Sequence, residues 1–86
     1  MTEMTPTTGT DRLRRLGAAV RARRRAANLS PEALAEAADV DPAELARIEA
    51  GLERPSFRDV VRLARSVGAT PSDLYSDALG PAWEGR

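Results

Sequence analysis

The residues best able to do chemistry in this 86-residue chain are arginines and carboxylates, because the chain contains neither histidine nor cysteine. The commonest general base, the commonest metal ligand and the thiolate nucleophile are therefore all missing. An enzyme is not expected, nor a metal, a cofactor or a small-molecule substrate. What remains is recognition. A guanidinium presents a planar fork of donors suited to phosphate oxygens or to paired acceptors on a base edge. A carboxylate accepts from amino groups and repels phosphate.

The distribution of these groups is uneven. Net charge is zero, with 13 basic and 13 acidic residues, and every basic residue is arginine. An all-arginine complement suggests GC-rich, bacterial coding. Residues 11–29 hold Arg12, Arg14, Arg15, Arg21, Arg23, Arg24 and Arg25 against Asp11 alone, a charge of +6. Residues 30–51 hold Glu32, Glu36, Asp39, Asp41, Glu44 and Glu49 against Arg47, a charge of −5. A basic segment is joined to an acidic one. The carboxylates form no D-x-D loop. They read as a solvated surface that complements helix N-termini.

Helices must position these groups. Residues 1–11, rich in Thr, are expected to be a disordered polar arm, and 80–86, with Trp83, a flexible tail. No apolar run approaches the roughly 18 residues of a membrane span. The polar start does not resemble a signal peptide, so a cytoplasmic protein without membrane contact is expected. Between Asp11 and Ala27 the residues Leu13, Leu16 and Val20 share one helical face, and Asn28 ends that first helix. Ser30-Pro31 caps and opens a second helix, with Leu34, Ala35 and Ala38 inward. Asp41-Pro42-Ala43-Glu44 reads as a capping box opening a third, with Leu45 and Ile48 inward and Gly51 as its stop. Ser56 caps a fourth, whose inward set is Phe57, Val60, Val61, Ala64 and Val67, ended by Gly68. Thr70-Pro71-Ser72-Asp73 opens a fifth, with Leu74 and Leu79 inward. This is an all-α chain of five short helices, with its domain at residues 12–79.

The second and third helices are joined around Asp39-Val40-Asp41. So short a turn forbids antiparallel packing and forces a steep crossing, the helix-turn-helix arrangement, over about residues 30–50. The run from Leu29 to Gly51, with Leu16-Gly17 and Val20-Arg21 before it and Pro55-Ser56 and Gly68 to Tyr75 after it, resembles the lambda-repressor/Cro-like (XRE) family of DNA-binding regulators. The resemblance covers about residues 12–79 without a gap.

That resemblance implies a transcription regulator binding double-stranded DNA, as a homodimer, with the third helix in the major groove. The implied base-facing positions are Asp41, Pro42, Ala43, Glu44 and Arg47, Arg47 being the guanine reader. The implied phosphate-facing positions are Ser30 and Pro31 and the loop residues Leu52, Glu53 and Arg54; arginines of the first helix, Arg21 among them, are expected to add phosphate contacts. Arg24 is expected to pair with Glu49, fixing the first helix against the third. Three departures from the family pattern stand out. Pro31 replaces a phosphate-binding Gln, Asp39 replaces the turn Gly, and the third helix opens with two acids. Phosphate neutralisation normally dominates affinity, so an alternative is kept: a degenerate helix-turn-helix serving as a protein-interaction or antitoxin-like module, with a protein partner. Leu52, Leu79 and Trp83 are candidates for a dimer surface.

Overall fold

Side-chain caps decide where the helices begin. The computed structural model describes residues 9–80. In it α1 spans Gly9–Ala26, α2 Pro31–Ala38, α3 Pro42–Glu49, α4 Phe57–Ser66 and α5 Pro71–Leu79. Ser30 Oγ accepts from Ala33 N–H at 3.0 Å. Ser56 and Asp59 exchange bonds in a full capping box, as do Thr70 and Asp73. Pro31, Pro42 and Pro71 occupy first-turn positions, where a missing N–H costs nothing. Asp41, however, makes no side-chain cap bond. The box expected at Asp41–Glu44 therefore does not close.

Four of the five helices end alike. After α1, α2, α3 and α4 a left-handed residue follows: Asn28, Asp39, Gly51 and Gly68, with φ of 60, 58, 76 and 75°. Each time the next N–H reaches back to a carbonyl five residues earlier: Leu29 to Arg24, Val40 to Ala35, Leu52 to Arg47, Ala69 to Ala64. This is the Schellman ending, which satisfies carbonyls that a helix end otherwise orphans. Asp39 accepts the left-handed conformation that glycine holds without steric cost.

Among the described residues, the buried hydrophobic side chains are all aliphatic. Leu34, Leu45, Ile48, Val60, Leu63 and Leu74 are the core's largest fully buried side chains. Burying one such side chain fully contributes about 1.5–3 kcal/mol. Helix α1 packs on α5 and α3, α2 on α3 and α4, and α4 on α5. Helices α2 and α3 thus stand on a platform that fixes their crossing.

Two readings are corrected, and a third lies outside the described residues. Helix α1 starts at Gly9, inside the stretch 1–11 assigned to a disordered arm; residues 1–8 lie outside the described residues. The tail assigned to 80–86 lies outside them apart from Gly80, and Trp83 with it. Phe57, expected inward, is 66% exposed. It keeps the helical phase of Val60 and Ala64 but sits at the first position of α4. There it lines the rim of a groove with Leu13, Leu16, Tyr75 and Leu79 rather than entering the core. Leu63 and Ala78 are core residues that the inward sets omitted.

Candidate nucleic-acid interface

The exposed face of α3 is composed by the helical period. Leu45 and Ile48 turn inward, which leaves Asp41, Pro42, Ala43 and Arg47 exposed and Glu44 half-buried. The start of α2 lies across the turn, with Ser30 and Pro31 exposed. Ser30 Oγ is committed as acceptor to Ala33 N–H, but its hydroxyl proton is a donor. After α3, Gly51 turns the chain beside α1. A Cβ there would come within 2.8 Å of Arg14 Cα. Leu52 and Arg54 are exposed, whereas Pro55 is buried and pins the loop.

Arg47 does not stand alone on this face. Its Nε donates to Glu53 Oε1 at 2.6 Å, across the end of α3. That bond raises the guanidinium pKa above its ordinary value, aided by the charges of Glu53, Asp41 and Glu44. The Glu44 carboxyl is also pushed up, chiefly by its hydrogen bond with Asp59, then by burial and by the nearby Asp59 and Glu53 charges. Arg47 opposes the rise. One guanidinium is therefore set among Asp41, Glu44 and Glu53.

Behind this face Arg24 and Glu49 tie α1 to α3. Arg24 donates Nε to Glu49 Oε2 at 2.8 Å and Nη2 to Oε1 at 3.1 Å. Its Nη1 donates to the Leu29 carbonyl at 3.0 Å, supporting the turn into α2. The side-chain bond to Glu49 outweighs burial and raises the Arg24 pKa. Arg21 Nε stands 3.5 Å from Glu49 Oε1, so the arginine assigned to phosphate is partly engaged inside the domain. Arg23 and Asp77 join α1 to α5, with Nε to Oδ2 at 2.7 Å, and Arg14 pairs with Asp11. Much of the +6 of the first helix is thus matched internally, while Arg12, Arg15 and Arg25 are exposed.

Several interactions of the domain are not legible in the sequence. Arg47–Glu53 spans six residues across a helix end, which is no helical spacing, so no periodicity flags it. Glu44–Asp59 and Arg23–Asp77 join different helices. Only Asp59 left a local trace, as the acid three residues after Ser56. Among the described residues no group of acidic side chains is placed to hold a metal ion. None of the described helices is long and apolar enough to cross a membrane.

Two helices joined by a tight turn, on a platform of three others, with the outer face of the second exposed, define a helix-turn-helix protein. A family model described as a helix-turn-helix domain matches residues 15–75, and the chain belongs to that family. Among solved structures it is similar to the clp gene regulator ClgR from Corynebacterium glutamicum. The TM-score is 0.78 at 29% identity, over 87% of this chain and 78% of that one. A second structure of ClgR matches at 0.77 and 28%, over 90% of this chain and 96% of that one. The restriction-modification controller protein C.AhdI from Aeromonas hydrophila matches at 0.70 and 29%, over 72% of this chain and 94% of that one. No curated protein matches.

Proposed function

We propose that this chain is a transcription regulator of the XRE type that binds duplex DNA with α3 in the major groove. One observation carries the reading: α2 and α3 meet in a helix-turn-helix whose second helix exposes Asp41, Pro42, Ala43 and Arg47 together. The family and the similar gene regulators support it. In this docking Arg47 reads guanine, and Asp41, Pro42, Ala43 and Glu44 shape the fit. Ser30, Pro31 and Arg54 lie along the phosphates, and Arg21 divides its charge between Glu49 and the backbone. The protein acts in the cytoplasm as a homodimer on a pseudo-palindromic site, with half-sites about 34–36 Å apart. It carries out no catalysis. Neither the family nor the similar structures favour the alternative of a protein-interaction module.

Selection from a randomised duplex pool, at low and then near-physiological salt, tests this reading. The expected outcome is an enriched two-fold-symmetric site whose affinity falls steeply with salt. No enrichment and no binding even at low salt would refute it.

A further inference from the structure

We infer that Glu53 is a positioning residue for Arg47: it holds the guanidinium by its inner nitrogen and aims the two terminal nitrogens at a base. The inference rests on the reading that α3 faces base edges. Its basis is which atom of Arg47 is taken. Glu53 Oε1 accepts from Nε at 2.6 Å, and no hydrogen bond from Nη1 or Nη2 to a described residue accompanies it. An end-on fork is left over, and an end-on fork matches the O6 and N7 acceptors of guanine.

The backbone holds Glu53 in place for this task. Gly51 adopts a φ of 76°, and Leu52 N–H bonds back to the carbonyl of Arg47 itself at 2.8 Å. Pro55 is buried two residues on. The loop therefore grips Arg47 twice, at its carbonyl and at its side chain. A rival grip stands on the other side. Glu44 precedes Arg47 by three residues on the same helix, a spacing at which side chains meet. Asp41 also attracts it. Without Glu53, Arg47 is expected to fold back along α3 toward these acids, with its fork turned off the groove. The loop acid thus has two opposed effects. It repels phosphate wherever DNA binds, and it sharpens the reading of one base pair.

These effects separate in one experiment. The selected operator and its single base-pair variants are titrated with the wild-type protein and with Arg47→Ala, Glu53→Ala and Glu53→Gln, alongside a duplex of unrelated sequence. Circular dichroism first checks that each variant is folded. Arg47→Ala identifies the base pair that Arg47 reads. Glu53→Ala is expected to cut discrimination at that same pair about tenfold while binding the unrelated duplex more tightly. Glu53→Gln keeps an acceptor for Nε, so it is expected to retain the discrimination yet share the gain in unspecific affinity. Unchanged discrimination in Glu53→Ala would overturn the proposal and leave Glu53 a repelling charge only. Increased discrimination would overturn it too, by showing that Glu53 masks Arg47. Loss of preference at no position in Arg47→Ala would instead remove the assignment of Arg47 on which the proposal rests.

Discussion

Glu49 of α3 and Arg24 of α1 form a two-bond ion pair at 2.8 and 3.1 Å, with exposures of only 8 and 7%. The pair sits directly behind the exposed face of α3. It therefore fixes how that helix is presented, besides joining two segments of opposite charge.

Breaking the pair from one side strands a buried charge. Glu49→Ala removes the carboxylate from Arg24, and the expected loss of stability is about 3–5 kcal/mol. Replacing both partners by apolar groups, as Arg24→Met with Glu49→Leu, leaves no charge behind and is expected to cost far less than Glu49→Ala alone. Urea unfolding of both variants checks this ordering. A double variant as unstable as the single one would mean that the charge pair itself, not the stranded cation, carries the energy.

Gly17 is where α1 and α3 come nearest. A Cβ there would collide with the carbonyl oxygens of Ile48 and Glu49, the latter at 2.7 Å, and backbone atoms cannot rotate away. Gly17→Ala is expected to destabilise by about 3 kcal/mol, the upper range for overpacking. Gly9→Ala in the same helix meets nothing within 4 Å and serves as the control. Thermal unfolding of the two should differ accordingly, although alanine is the better helix former at both positions.

Local signals account for most of what could be read in advance. Ser30-Pro31, Thr70-Pro71 and the glycines at 51 and 68 announce helix ends through nearest-neighbour chemistry, and each end falls where they stand. Asp39 announces its turn less clearly, because an acid in a left-handed position is uncommon; the bond from Val40 to Ala35 secures it. Phe57 misled because periodicity says which face a residue occupies, not whether anything covers it. At the face of α3, residue types and exposure were legible from the helical phase. The pairing of Arg47 with Glu53 was not, because it depends on a loop turned by Gly51. Arg23 with Asp77 lies still further out of reach, at a separation of 54 residues.

The raised Glu44 carboxyl gives a pH dependence of definite sign. Asp59, by its hydrogen bond, is the first cause, and it makes the folded protein hold the Glu44 proton above the ordinary value of 4.5. In the window from 4.5 up to that raised value the folded chain binds more protons than the unfolded one. Stability therefore falls as pH rises through the window. Glu44→Gln is expected to flatten this segment of the profile. It is preferred to Asp59→Asn, which would also disturb the Ser56 capping box. Urea midpoints measured across the window for both proteins decide it. An unaltered slope in Glu44→Gln would locate the titration elsewhere.

Arg54 offers the cleanest separation of anchoring from reading. It is exposed, its loop is pinned by buried Pro55, and it follows the exposed residues of α3 in the chain. A phosphate contact releases one counterion and carries no sequence information. Arg54→Ala should therefore weaken every duplex alike and lower the slope of log affinity against log salt by about one. Arg47→Ala should behave differently, changing the order of preferred sites more than the slope. Titrations of two unlike operators at four salt concentrations distinguish the outcomes. If Arg54→Ala changed the preference between the operators and left the salt slope intact, the loop would be reading bases and the docking of α3 proposed above would be wrong in its register.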